Sequence, residues 1–202
     1  MRESLSTKKE TIKVCHILLD NLRFFRLLQR IDVELAAQTH AVVCDCGGKR
    51  HRSNYPRKPR ACPDEVRADY ASRFSFCCSQ CRKRSTPQSV RFLGRRVYLG
   101  LVVVLMSIQQ GGQGTAQARC SATLNVARRT LARWCDWWVE DFPLTPLWQA
   151  QAARFMPPVV TSALPASLIE RFTGLVEASF LRLLVFLAPL TASDSVTLQE
   201  AR

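Results

Sequence analysis

The residues best suited to chemistry are cysteines in two clusters, Val43-Cys44-Asp45-Cys46-Gly47-Gly48 and, about thirty residues on, Phe76-Cys77-Cys78-Ser79-Gln80-Cys81-Arg82. Thiol groups at this separation predict a Zn²⁺ site of the zinc-ribbon kind, with Cys44, Cys46, Cys78 and Cys81 as ligands. Four thiolates close a tetrahedron around the ion, and the metal supplies folding free energy that so short a segment cannot draw from a core. Gly47 and Gly48 follow a ligand directly, where a knuckle must turn tightly and glycine tolerates positive φ. Cys78-x-x-Cys81 has the usual two-residue spacing. Cys44-x-Cys46 is one residue shorter, so Cys62, His51 or Cys77 stays open as a replacement for one of the four.

Disulfides are the competing use of these thiols. Met1 to Glu10 is charged and polar, without the apolar core of a secretory signal, so a reducing compartment is expected. Nine cysteines are also an odd number, and Cys15, Cys120 and Cys135 fall in helix-like patterns as small core residues. Catalysis lacks its usual groups. His16, His40 and His51 have no evident nucleophile partner and no phosphate-cradling glycine loop occurs, so the chain is expected not to be an enzyme.

The formal charge is +13, and its placement is informative. Residues 49–96 hold fourteen Lys/Arg against three Asp/Glu, whereas residues 1–48 hold seven against six and residues 97–202 eight against seven. Charge focused in this way predicts a polyanionic partner, double-stranded DNA first. Arg50, Arg52, Arg57, Lys58 and Arg60 lie on a proline-punctuated stretch that should run as an extended arm, because proline disfavours helix at itself and at the preceding residue. Arg82, Lys83, Arg84, Arg95 and Arg96 make a second basic arm over residues 82–96, and both arms are expected to contact phosphate. A membrane is not an expected partner. Val97 to Ile108 is twelve residues where a span needs about twenty, and Phe180 to Leu190 is interrupted by Arg182 and Pro189.

Other elements must position these groups. Ile12, Leu18, Leu19, Leu22, Phe25, Leu28, Ile31 and Leu35 recur at helical steps and predict an amphipathic helix from Thr7 to Ala37, with Asn21 marking a break. Arg73-Phe74-Ser75-Phe76 alternates as a strand leading into the second knuckle. Pro143, Pro146, Pro157 and Pro158 predict a loop-rich connector, and Ala166 to Ala188 a last apolar helix whose surface needs a cover. Trp134, Trp137, Trp138 and Trp148 are expected in the core.

Gln117 to Leu124, Asn125-Val126-Ala127 and Arg128 to Trp134 have the layout of a helix, a three-residue turn and a second helix. Small Ser121 admits a close helix approach, Asn125 tolerates the left-handed conformation, and Val126, Leu131 and Trp134 are spaced to pack inward. Arg128, Arg129, Thr130 and Arg133 then face outward, where a recognition helix meets base edges and phosphates.

Over roughly residues 41–140 this arrangement resembles the N-terminal region of bacterial insertion-element transposases. It is also similar to a group of transposase-like bacterial proteins that share Cys46-Gly47-Gly48, Asn54-Tyr55-Pro56-Arg57-Lys58-Pro59-Arg60 and Val90-Arg91-Phe92-Leu93-Gly94-Arg95-Arg96-Val97-Tyr98. The resemblance implies a zinc ribbon ahead of a helix-turn-helix that binds an element's terminal repeats. A full transposase also needs a two-metal nuclease domain with three spaced carboxylates. After Trp134 the acidic residues scatter over helix-like or terminal segments without the required strand pattern, which points to a non-catalytic accessory factor or transcriptional regulator of a mobile element.

The expected fold class is mainly α with a small β zinc ribbon. It comprises an N-terminal amphipathic helix (1–40), the zinc ribbon with basic arms (41–93), the helix-turn-helix (94–142), and a proline-rich connector with a C-terminal apolar helix (143–202). Expected partners are duplex DNA and either a separate transposase or a second copy of the chain, in the cytoplasm at the nucleoid. An RNA-binding module and a helical protein-interaction subunit are the alternatives.

Overall fold

The computed structural model describes residues 18–59, 62–93, 99–109 and 127–192. The chain is mainly helical with a small antiparallel sheet. It divides into two compact units, Leu22–Gly100 with Leu184–Arg202, and Met1–Asn21 with Leu101–Leu183. The first long helix and the cysteine-bearing segment thus share one unit.

That unit opens with α1 (Leu22–Ala41), which buries Phe24, Phe25, Leu28, Asp32 and Ala36. Ahead of it the break expected at Asn21 is present: Leu18 and Leu19 are helical, and the Asn21 N–H turns back to the Leu18 carbonyl at 3.3 Å. α1 runs past Ala37 because its last turn is held from outside. Helix C-termini leave carbonyls without intrahelical donors. Here the Arg50 guanidinium donates to the Thr39 carbonyl at 2.8 Å, while His40 stacks on Phe76 with 4.9 Å between ring centroids.

Five short strands follow: β1 (Arg50–Arg52), β2 (Tyr55–Pro56), β3 (Ser72–Arg73), β4 (Phe76–Cys78) and β5 (Arg84–Ser85). β1, β4 and β5 form an antiparallel sheet in that order, with Arg50 opposite Cys78, His51 opposite Cys77, Arg52 opposite Phe76 and Cys77 opposite Arg84. β2 pairs with β3, Tyr55 opposite Arg73. Residues 50–56 are therefore extended, as expected, but are built into two sheets rather than hanging as an arm. The strand expected over Arg73–Phe76 is likewise two strands, since the chain leaves one sheet and enters the other at Phe74 and Ser75.

Between β2 and β3 the helix α2 (Arg67–Tyr70) sets Tyr70 into the core, where its ring meets Phe25 at 5.6 Å and Phe92 at 6.1 Å. Its hydroxyl donates to the Phe25 carbonyl at 2.8 Å. Charge enters this core as well. Asp32 and Arg91 are both wholly buried, with Arg91 Nε 2.7 Å from Asp32 Oδ2. Asp32 also accepts the Val90 N–H at 2.7 Å and the Ser89 hydroxyl at 2.5 Å. The Arg91 guanidinium lies over Tyr70, Phe74 and Phe92 and donates to the Asp69 carbonyl. Residues 89–93, expected within a basic arm, are core. Buried Arg73 donates to the Pro87 and Thr191 carbonyls and thereby ties the 188–191 turn to this unit.

The other unit contains most of α3 (Gly100–Gln109), with Leu101 to Leu105 buried, followed by α4 (Arg128–Asp136) and a π turn over Trp137–Asp141. Trp137, Trp138 and Trp148 are buried as expected and join Phe142 in an aromatic cluster with centroids 4.9 to 5.5 Å apart. Trp134 is half-buried.

Two expectations fail over residues 143–188. The proline-rich connector contains α5 (Pro146–Gln151): Pro146 sits in the first turn, where no N–H is missed, and the Thr145 hydroxyl accepts the Trp148 N–H at 3.2 Å. The long last helix is two, α6 (Ala166–Ile169) and α7 (Val176–Leu187), parted by a turn in which Gly174 adopts φ +125°. Apolar periodicity continued across that turn and concealed it. No helix among the described residues is long and apolar enough to cross a membrane.

Candidate metal centre

The two knuckles meet. Sγ atoms of Cys44, Cys46, Cys78 and Cys81 all lie within 4.8 Å of one another, forming a candidate metal site. Cys44 approaches Cys81 at 3.5 Å and Cys46 approaches Cys78 at 3.4 Å. Cys44 and Cys78 are buried, Cys46 and Cys81 exposed, so the cluster sits at the surface with one side sealed.

Backbone chemistry sets each knuckle. In the first, the Gly47 N–H donates to the Cys44 carbonyl at 2.7 Å and the Cys44 N–H to the Gly48 carbonyl at 3.3 Å. This tight turn holds Gly47 at φ +78°. Gly48 meets a different constraint: a Cβ there would lie 2.6 Å from Cys78 Sγ and 3.1 Å from Gln80 Cβ. In the second, the Cys78 N–H donates to the Lys83 carbonyl at 3.0 Å, and Arg82 takes φ 61° to close the turn. Lys83 and Asp45 join the knuckles by an ion pair at 3.2 Å, solvent-exposed and so worth about 0–1 kcal/mol.

These constraints separate the two glycines experimentally. Gly47→Ala has open space and bears only the left-handed backbone cost of about 1–2 kcal/mol. Gly48→Ala drives a methyl group into the Cys78 sulfur, and affinity for a metal at the candidate site should fall about 10–100-fold, as when a ligand's support is lost. Competition against a chromogenic chelator measures both, and equal losses would contradict the close approach.

The sulfurs differ in proton affinity. Burial alone would raise the Cys78 thiol, but the backbone N–H groups of Cys81 and Gln80 and the neighbouring thiols donate to it and hold it down at about 6. At Cys81 the Lys83 N–H pulls downward, yet the Cys46 and Cys44 sulfurs beside it win and push it up to about 12. Four sulfurs this close cannot all ionise unless a cation joins them, so metal and protons compete for the cluster.

The rival ligands lie elsewhere. Cys77 and Cys78 are neighbours on β4 and point to opposite faces, and the Cys77 thiol turns to the Arg82 carbonyl at 3.4 Å. Exposed His51 is opposite Cys77, hence on that same far face. Cys62 is buried, which pushes its thiol up to about 11, and it packs as a small core residue.

The basic residues divide by environment. Arg52, Lys58, Arg82, Lys83 and Arg84 are exposed, as is Lys49, all in the unit that carries the cysteines. Arg50 is half-buried on Thr39, and Arg57 is buried with its guanidinium over Tyr55 at 5.2 Å and Phe92 at 5.3 Å. Burial lowers the Arg57 pKa. Arg60, Arg95 and Arg96 lie outside the described residues. In the other unit Arg129 and Arg133 are exposed on α4, Thr130 is buried rather than outward, and the Arg128 side chain is not described. The first helix and turn of the expected helix-turn-helix, residues 117–126, are outside the described residues.

Sequence reasoning missed Asp32, Arg73 and Arg91, whose charges mark surface in any composition argument. A weak signal existed for Asp32, which lies one helical turn from both Leu28 and Ala36. In comparisons with family models, curated proteins and solved structures, nothing matches this chain.

Proposed function

We propose that this is a non-catalytic DNA-binding protein in which Zn²⁺ bound by Cys44, Cys46, Cys78 and Cys81 holds a ribbon that presents cations to duplex DNA. The observation that carries this reading is a four-cysteine cluster in the unit where the exposed Lys and Arg concentrate. The donor set suits zinc. Zn–S bonds of about 2.3 Å put the sulfurs of a tetrahedron about 3.8 Å apart, and the pairs at 3.4 and 3.5 Å need only small adjustments. Bound zinc would make the centre a four-thiolate complex of net negative charge, which nearby Lys49, Arg82 and Lys83 offset.

Zinc here is structural: all four positions are filled by protein sulfur, leaving none for a reacting water. Exposed Arg129 and Arg133 on α4 add groove contacts in the helix-turn-helix reading. The resemblance to insertion-element transposases makes an accessory factor or regulator of a mobile element the role of first choice.

Salt tests the DNA reading. Half of the six exposed cations Lys49, Arg52, Lys58, Arg82, Lys83 and Arg84, each neutralising one phosphate, give a slope of log affinity against log salt of about −3, and more contacts a steeper one. Duplex titrations at several salt concentrations measure it; absence of binding at low salt would remove this function.

A further inference from the structure

We infer that the open face of the β1-β4-β5 sheet enters the major groove of duplex DNA, an inference that rests on the DNA-binding reading above. Side chains alternate across a strand, and the two faces of this sheet differ in kind. One carries buried Phe76 and Cys78, with Arg50 drawn to the Thr39 carbonyl. The other carries His51, Cys77 and Arg84, in register across the three strands. A hydrogen bond from the Ser79 N–H to the Lys49 carbonyl at 2.9 Å continues the ladder and adds Lys49 and Ser79 to that face. Lys49, His51, Ser79 and Arg84 are exposed and Cys77 is half-exposed. All can hydrogen-bond, two are cations and none is acidic.

Arg84 is set in place before any partner arrives. Its Nη1 donates to the Ser53 carbonyl at 3.0 Å and the Ser75 hydroxyl at 3.3 Å, and its Nη2 to the Ser53 hydroxyl at 3.2 Å. The guanidinium also lies 5.9 Å from the Tyr55 ring centroid. Little rotamer freedom is left to lose on binding, and an arginine retains donors beyond these three.

Dimensions select the nucleic acid. Strands about 4.8 Å apart make a three-strand face about 10 Å across, within the roughly 12 Å major groove of B-DNA that admits β-ribbons. The deep, narrow major groove of A-form RNA does not admit such a face. His51 and Arg84, on β1 and β5, then reach base edges, while Lys49 at the margin meets phosphate.

The test uses the full zinc-loaded chain and a labelled random-sequence duplex. Lys49→Gln with Arg84→Gln is compared with Arg23→Gln and Arg26→Gln, which remove the same charge from the exposed side of α1. The sheet-face pair should bind at least tenfold more weakly and flatten the salt slope by about 1.8, the value for two phosphates, whereas the α1 pair should change affinity less than twofold. His51→Ala, which removes no formal charge, should weaken binding several-fold at unchanged zinc content. Equal losses for the two pairs, or an unaltered sheet-face pair of native zinc content, would overturn the face assignment while leaving DNA binding intact. Tighter capture of a structured RNA hairpin than of the duplex would overturn the groove assignment. Absence of duplex binding by the unsubstituted chain would overturn the functional reading itself.

Discussion

Asp32→Ala should destabilise the cysteine-bearing unit by about 3–5 kcal/mol, the range for removing one partner of a buried ion pair. The cost comes from what is left behind. Arg91 keeps its charge in a site without exposure, the Val90 N–H loses its acceptor, and the Ser89 O–H loses the acceptor it donates to. Against a typical domain stability of about 5–15 kcal/mol this is a large fraction. Urea denaturation of the zinc-loaded chain measures it. Replacing both charges, Asp32→Leu with Arg91→Met, should recover much of the loss, because an apolar pair of similar size leaves no buried charge. A loss below about 1 kcal/mol for Asp32→Ala would mean that the network does not organise the core.

Cys78→Ser with Cys81→Ser should reduce bound zinc from one ion per chain to none. Apparent binding free energies of structural zinc reach about 10–16 kcal/mol in small metallo-modules, so loss of the ion should cost the ribbon its order. Hydrogen exchange should show amide protection vanishing over residues 44–52 and 76–85, where hydrogen bonds run between three short strands and two knuckles. The α1 core around Phe25, Tyr70 and Phe92 has aromatic contacts of its own and should keep more of its protection. Retained zinc and full protection in the double variant would contradict the assignment of these ligands.

The candidate site was legible because its signals are local. A ligand knuckle needs cysteines two or three positions apart and a tight turn, and Cys44 to Gly48 and Cys78 to Cys81 display both within a few residues. The pairing of Cys44 with Cys81 and Cys46 with Cys78, and the exclusion of Cys77, required strand register, which no spacing rule contains. Asp32 escaped for a similar reason: its partners stand 57, 58 and 59 residues further along, and hydrophobic periodicity cannot register a charge in a core stripe. Arg57 counted toward a basic arm in the sequence and packs against Tyr55 and Phe92 in the fold, since a guanidinium is flat enough to cover aromatic faces. Pro146 and Gly174 show the two opposite errors of punctuation. One breaker starts a helix, and the other divides a pattern that seemed continuous.

Zinc content and duplex binding of one sample, before and after chelation, test the central claim most directly. The purified chain should hold one zinc ion, lose duplex binding when a chelator removes it, and regain binding when zinc is restored. Unaltered duplex affinity in the metal-free chain would contradict the claim that the four-cysteine centre organises the DNA-binding surface.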